Sequence, residues 1–154
     1  MKLHRDLKEF LQLLNEAEVR YLIVGGYAVA AHGHVRYTKD LDVWLESERA
    51  NANRMMDVLR KFGFESLDIA AEDFLEPGQT IQLGHEPARI DLLTSVSGLE
   101  FGPSFRRRIE TVLDDVSVSV PCREDLKKNK LASGRLRDLA DVDDLGFDLP
   151  KDRK

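Results

Sequence analysis

The chain has 154 residues, a net charge of −5 and a hydrophobic content of 42%. These values fit one globular domain, and they argue against two domains and against a globally basic nucleic-acid-binding protein. The single cysteine, Cys122, excludes a disulfide within the chain and favours a cytoplasmic protein. The N-terminus is too polar for a signal peptide, and no apolar run is long enough to span a membrane. We expect one domain over residues 1–149 and a frayed, charged tail over 150–154.

Hydrophobic periodicity predicts alternating helices and strands. Apolar residues at helical spacing indicate amphipathic helices, and short apolar or alternating runs indicate strands. In chain order the predicted elements are a helix over 3–18, a strand over 21–24, a helix over 27–34, a strand over 40–45, a helix over 48–62, strands over 80–83, 88–93 and 116–120, and helices over 124–131 and 136–145. The short link between the strands over 80–83 and 88–93 predicts a hairpin. This order predicts an α/β (α+β) fold with a small mixed sheet flanked by helices.

Two consecutive glycines, Gly25 and Gly26, follow the first predicted strand and precede a helix. Glycine lets the backbone turn sharply and approach a ligand closely, and the start of a helix offers unpaired N–H groups to a phosphate. Such turns also occur without a ligand. The pair is therefore a candidate phosphate site only in combination with other residues.

Asp40 and Asp42 are two residues apart on a predicted strand, so both side chains point to the same face of the sheet. Neighbouring carboxylates repel each other unless a cation lies between them, and hard oxygen ligands suit Mg²⁺. Asp141 and Asp143 have the same spacing in a helical pattern, where the two side chains diverge, and we interpret them as surface charge. The strand context therefore makes Asp40 and Asp42 the predicted metal ligands.

Asp91 is the third acidic candidate, and it lies inside a predicted strand. Strands disfavour aspartate, and a half-buried carboxylate needs a partner or a metal. Arg89 is close enough in sequence to be that partner, so an ion pair is the alternative to a metal site. The Asp40–Asp42 pair has the same alternative, with Arg36, Lys39 or more distant basic residues as the partners.

The chain combines three motifs, namely Gly25–Gly26, Arg36-x-Thr38-x-Asp40-x-Asp42 and Asp91. This combination resembles the pattern of the DNA polymerase β-type nucleotidyltransferase superfamily. Within that superfamily the chain is similar to the minimal bacterial nucleotidyltransferases related to the AbiEii and MenT toxins. The run from Lys130 to Asp141 is similar to a segment near the end of those proteins. The resemblance covers residues 8–145 and implies the nucleotidyltransferase fold.

The resemblance also implies roles for individual residues. The catalytic residues and metal ligands, for Mg²⁺ or alternatively Mn²⁺, would be Asp40, Asp42 and Asp91. The residues that bind a nucleoside triphosphate (NTP) would be Gly25, Gly26, Arg36, Thr38 and Lys130, with Asp138 orienting Lys130 or Arg135. A solvated helix face is the alternative for Lys130 and Arg135.

The reaction implied by the resemblance is transfer of a nucleoside monophosphate to a hydroxyl acceptor. The acceptor would be an RNA such as tRNA, or a protein. A cognate antitoxin or another partner protein would accompany the enzyme in a toxin–antitoxin or phage-defence system.

Three other features receive structural interpretations. His32 and His34 lack a cysteine partner and fit a helix end better than a transition-metal site. Trp44 shares the face of the acidic pair, where packing against a helix is favoured over stacking on a base. The basic run 106–108 is interpreted as a charged helical turn rather than a guide for RNA.

Two further function classes stay open. A non-catalytic module of the same fold would bind a nucleotide or a partner without turnover. A metal-dependent phosphohydrolase would use the same carboxylates, although the Gly25–Gly26 turn before the acidic pair favours the transferase arrangement.

Overall fold

The computed structural model describes residues 1–34, 38, 40–64, 68–85, 87–135, 139, 140 and 142. Its elements are α1 (Arg5–Glu16), β1 (Tyr21–Val24), α2 (Gly25–Ala31), β2 (Asp40–Leu45), α3 (Arg49–Phe62), a 3₁₀ helix (Ala71–Phe74), β3 (Thr80–Leu83), β4 (Arg89–Leu93), α4 (Phe101–Arg106), β5 (Ile109–Leu113), β6 (Val116–Val120) and α5 (Arg123–Ser133). The predictions for Arg36, Asp138, the Asp141–Asp143 pair and the tail over 150–154 lie outside the described residues. Of the helix predicted over 136–145, the described residues Leu139, Ala140 and Val142 are helical.

The main sheet has four strands in the order β1-β2-β4-β3. Strands β1 and β2 are antiparallel, β2 and β4 are parallel, and β3 and β4 form the predicted antiparallel hairpin. A separate hairpin joins β5 to β6. The predicted fold class, a small mixed sheet flanked by helices, is therefore confirmed.

One face of the main sheet carries the larger hydrophobic core. Alternate strand residues such as Leu41, Val43 and Leu92 are fully buried there. Helices α1 and α3 cover this face with side chains at helical spacing, namely Leu7, Phe10, Leu11, Leu14, Met55, Val58 and Leu59. Each such side chain contributes about 1.5–3 kcal/mol when fully buried, so this layer stabilises the packing of the helices on the sheet.

Buried Asn51 fixes the start of α3 to the sheet. Its side-chain oxygen accepts a hydrogen bond from the Arg20 amide at 2.7 Å, and its amide nitrogen donates to the carbonyls of Arg20 and Glu46 at 3.0 Å each. Because Arg20 enters β1 and Glu46 leaves β2, this one side chain satisfies backbone groups at the ends of two strands.

The opposite face carries a smaller cluster around Trp44, which packs edge-to-face on Phe101 of α4 with ring centroids 5.1 Å apart. The packing interpretation of Trp44 is confirmed. The prediction that 106–108 form a helical turn is wrong for Arg107 and Arg108, because α4 ends at Arg106, but both of these arginines have structural contacts. Arg107 makes a two-point ion pair with buried Asp125, and Arg108 stacks over Phe105 at 4.0 Å from its ring centroid.

Two predictions concern the ends of α2. The prediction that a helix ends near Gly33 is confirmed, since α2 ends at Ala31. The next residue, His32, is hydrogen-bonded through Nε2 to the Pro121 carbonyl oxygen at 2.8 Å. The prediction that α2 starts at Tyr27 is wrong. Helix α2 starts at Gly25, directly after β1, so both glycines belong to its first turn. In the described part of the chain, no helix has the length and apolar character needed to cross a membrane.

Candidate metal and nucleotide site

Three acidic side chains lie on one face of the main sheet. The parallel register pairs Asp42 with Asp91 and Asp40 with Arg89. Because side chains alternate along a strand, these four residues project from the face opposite the larger core. The sequence argument that Asp40, Asp42 and Asp91 share a face is therefore confirmed for their placement, although their roles stay predictions.

Asp91 is 8% exposed and is held by Arg89. Arg89 Nε donates to Asp91 Oδ1 and Arg89 Nη2 donates to Asp91 Oδ2, both at 3.1 Å. These hydrogen bonds raise the pKa of the Arg89 guanidinium above its usual value. The ion-pair alternative for Asp91 is thus present in the structure.

Asp40 has a different environment from Asp91. Its Oδ1 atom is buried and has no hydrogen-bond partner among the described residues, and Arg89 Nε lies 3.9 Å away. Across the described ranges, no three His, Cys, Asp or Glu side chains converge as a ready metal site. Because Asp91 is turned toward Arg89, the donors that fit a cation in the present arrangement are those of the Asp40–Asp42 pair.

Burial, and after it the negative charges of Asp91 and Asp40, raise the pKa of Asp42 from 3.8 to about 6. The positive charges of Lys130 and Arg135 oppose this effect. A carboxyl group whose neighbours penalise its ionised form is one that a divalent cation would stabilise as the carboxylate. The electrostatics of Asp42 therefore fit a metal ligand.

Gly25 lies directly against Asp42. Its φ is +72°, and a β-carbon at this position would stand 2.5 Å from Asp42 Oδ2. Glycine is required here for both the backbone conformation and the space. Gly26 is buried in the same helical turn, and its φ is not positive, so the backbone conformation does not require glycine there.

A cleft of about 310 Å³ opens beside Asp42. The described residues that line it are Val24, Gly25, Asp42, Leu93, Ser95, Val96, Ser97, Asn129, Lys130, Ser133 and Arg135. Lys130 is 2% exposed, so the solvated-face alternative is wrong for this residue, whereas Arg135 is exposed. Thus α5 brings a buried cation to the cleft that Gly25 and Asp42 border.

The cleft does not include every residue predicted to bind nucleotide. Gly26 and Thr38 are absent from its described lining, and Arg36 lies outside the described residues. Thr38 stands just before β2, where its carbonyl oxygen is 3.5 Å from the Tyr27 hydroxyl, which donates to it. Structure and sequence therefore agree on Gly25, Lys130 and Asp42 as one cluster.

Sequence reasoning missed one wall of the cleft, the loop 95–98. Asn129 of α5 donates to the Ser97 carbonyl at 2.9 Å. At Gly98, with φ +80°, a β-carbon would stand 2.7 Å from the β-carbon of Ala132. The loop is held tightly on α5 by these contacts. No local sequence pattern predicts such a contact, because the contact depends on how α5 packs against the loop.

The comparisons agree with this geometry. The fold is that of the nucleotidyltransferases, and the chain belongs to the family described as "Nucleotidyltransferase of unknown function" (DUF6036), whose model matches residues 1–147. No curated protein is similar to the chain in sequence at a significant level.

Two solved structures show the same fold. The lincosamide antibiotic adenylyltransferase LnuA, bound to lincomycin, is 16% identical with a TM-score of 0.62, and the match covers 94% of this chain and 96% of LnuA. The antibiotic-resistance factor ANT(2″)-Ia is 16% identical with a TM-score of 0.52, and the match covers 97% of this chain and 75% of that protein. At this identity the similarity defines the fold alone.

Proposed function

We propose that the protein transfers a nucleoside monophosphate from an NTP to a hydroxyl group, in a Mg²⁺-dependent reaction that releases pyrophosphate. The observation that carries this proposal is the register of β2 and β4. It places Asp42 beside Asp91 at the edge of a cleft that contains buried Lys130. Membership of a nucleotidyltransferase family supports the same reaction class.

The acidic residues fit a divalent cation. Asp40 offers a buried oxygen with no hydrogen-bond partner among the described residues, and Asp42 has a pKa raised to about 6. Oxygen donors of this kind suit Mg²⁺, with Mn²⁺ as the alternative ion. When bound, the metal supplies charge stabilisation for the phosphates and for the leaving pyrophosphate.

The side chains of the site would divide the chemistry between them. The acceptor hydroxyl oxygen forms a bond to the α-phosphorus, the bond from that phosphorus to the pyrophosphate oxygen breaks, and the hydroxyl proton passes to Asp91 or to water. Lys130 would neutralise charge on the triphosphate, and Gly25 would let the phosphates approach the backbone. Arg36 and Thr38, which flank the acidic strand in sequence, are proposed to line the same pocket.

The acceptor has two candidate classes. The toxin resemblance favours a macromolecular hydroxyl, on an RNA such as tRNA or on a protein. The match to LnuA favours a small molecule, because a chain of nearly the same extent is described as an antibiotic adenylyltransferase bound to its antibiotic. The first experiment must therefore identify the class of the acceptor.

A labelling assay tests the proposal. The purified protein is mixed with each NTP labelled at the α-phosphate, with Mg²⁺, and with total RNA, cell lysate or a panel of hydroxylated small molecules. The control is Asp40→Ala/Asp42→Ala, after its fold has been checked by circular dichroism. Label that moves to an acceptor only with the unmodified protein supports the transferase and identifies the acceptor class.

The same assay separates the rivals. NTP binding without any transfer would favour the non-catalytic module, and release of phosphate without a labelled acceptor would favour a phosphohydrolase. A toxin role, with a cognate antitoxin, is proposed on the resemblance alone. Induced expression in a bacterial host tests that role, since growth arrest that the Asp40→Ala/Asp42→Ala variant relieves would support it.

A further inference from the structure

Arg89 lies where it can neutralise the acidic face. Arg89 lies on the same strand as Asp91, and both side chains project from the same face of the sheet. The parallel register pairs Arg89 with Asp40. Its guanidinium donates to both oxygens of Asp91 at 3.1 Å, and its Nε lies 3.9 Å from Asp40 Oδ1. One arginine thus contacts two of the three carboxylates.

The ion pair commits Asp91 to Arg89. Asp91 has only 11% of its side chain exposed, so its two oxygens have little access to water. A two-point contact between a guanidinium and a carboxylate uses both oxygens in a fixed geometry. A metal that approaches an Asp91 oxygen therefore meets the positive charge of Arg89, which opposes its binding while the ion pair is in place.

Arg89 itself is able to move. About a third of its side chain, 35%, is exposed, and Arg89 lies at the start of β4, next to the turn after Gly84. Its long side chain can reach solvent without disturbing the strand, because the charged group of an arginine sits at the end of a flexible stem. The buried partner of the pair is the carboxylate, whereas the exchangeable partner is the guanidinium.

We propose that Arg89 competes with the metal for Asp91, so that without nucleotide the metal is held by Asp40 and Asp42 alone. This inference rests on the proposed function, since it takes the three carboxylates as the metal ligands. Arg89 is then a positioning residue that holds Asp91 away from the metal. Asp91 becomes a ligand only when the guanidinium leaves it.

The test is a double-mutant cycle read out by Mn²⁺ binding, measured by electron paramagnetic resonance in the absence of nucleotide. The four proteins are the unmodified chain, Arg89→Gln, Asp91→Asn and Arg89→Gln/Asp91→Asn. We expect Asp91→Asn to change Mn²⁺ affinity less than about twofold when Arg89 is present. In the Arg89→Gln background, which frees Asp91, the same substitution should weaken binding roughly tenfold.

Two further variants keep the result interpretable. Arg89→Lys retains the charge and should restore most of the insensitivity to Asp91→Asn, although an ammonium group cannot make the two-point contact. Arg49→Gln removes an exposed arginine that pairs with Glu72 on the far side of the sheet, and it should leave Mn²⁺ affinity unchanged. Thermal melts of each variant establish that it folds.

The outcomes distinguish the two proposals. An equal effect of Asp91→Asn in both backgrounds would overturn the competition by Arg89 and leave the metal-dependent transferase standing. If none of the four proteins binds Mn²⁺, the proposed metal site is wrong, and the proposed metal-dependent function is wrong with it. A tenfold effect that is confined to the Arg89→Gln background supports both.

Discussion

Gly25 and Asp42 occupy adjoining space: the hydrogen of Gly25 faces the Asp42 carboxylate, where a β-carbon would come within 2.5 Å of Oδ2. Gly25 directly follows β1 and is the first residue of α2. Asp42 lies on the neighbouring strand, where it is paired with Val24. The turn and the acidic residue are therefore a single structural unit, and a change at either one alters the other.

Substitution Gly25→Ala tests this relationship. The added methyl group should push the Asp42 carboxylate away from the cleft and strain the backbone at φ +72°, so metal affinity and transfer activity should both fall at least tenfold. Mn²⁺ titration and the labelling assay measure the two effects. Gly78→Ala is the matched control, because Gly78 has φ +73° and nothing within 4 Å of its would-be β-carbon. Equal losses in both variants would mean that backbone strain alone matters.

The raised pKa of Asp42 predicts how stability depends on pH. The folded chain keeps a proton on Asp42 up to about pH 6, whereas the unfolded chain loses it near 3.8. Stability contributed by this group therefore falls as the pH rises through that window. Without metal, Asp42→Asn should raise the free energy of unfolding by about 2 kcal/mol near neutral pH, and should change it little at about pH 4.

Urea unfolding in the presence of a chelator measures this difference. Addition of Mg²⁺ should then stabilise the unmodified chain more than Asp42→Asn, because the metal binds only the folded state. A variant that is less stable than the unmodified chain at neutral pH would contradict the assignment of burial and neighbouring charge as the cause.

The same group predicts the pH dependence of metal use. Below about pH 6 a metal must displace the proton from Asp42, so the Mg²⁺ concentration for half-maximal activity should rise roughly tenfold per pH unit. Above that pH it should stay level. Mn²⁺ binding without nucleotide should show the same dependence, which separates titration of Asp42 from titration of the triphosphate. A metal requirement that is constant down to about pH 5 would oppose this role.

Lys130→Met tests the buried cation of the cleft. Because Lys130 is 2% exposed and lines the cleft beside Asp42, loss of its charge should raise the KM for NTP roughly tenfold. It should also move the metal-use profile to higher pH, since the charge of Lys130 lowers the pKa of Asp42. Lys128→Met, at an exposed position on the same helix, should have neither effect. A similar KM for the two variants would exclude Lys130 from nucleotide binding.

The strands of the main sheet could be predicted because they carry their own pattern. The predicted strands over 21–24, 40–45 and 80–83 have the same bounds as the observed strands. Strand β5 was missed because only Leu113 of its five residues is buried, which leaves no alternation to detect. In the structure Asp114 and Asp115 form the two-residue turn that follows β5, and both adopt the positive φ that such a hairpin requires. Helix α4 was missed because it has six residues, including Gly102 and Pro103.

The candidate site was predictable where one strand sufficed. The spacing of Asp40 and Asp42 defines a common face, and the same argument applied to Arg89 and Asp91 indicates their contact. The contribution of α5 and the loop 95–98 was not predictable in the same way, because it depends on the packing of a helix against a distant loop. Lys130 was identified through a family resemblance, and its burial required the structure.

The parallel pairing of β2 with β4 determines when the site can form while the chain is synthesised and folds. Asp42 and Asp91 come from distant parts of the sequence, and α5 with Lys130 is made later still. Contacts of such long range form late in folding and carry the entropy of closing large loops. A nascent or partly folded chain therefore lacks the assembled site, and its ability to consume nucleotide would begin only once nearly the whole domain has folded.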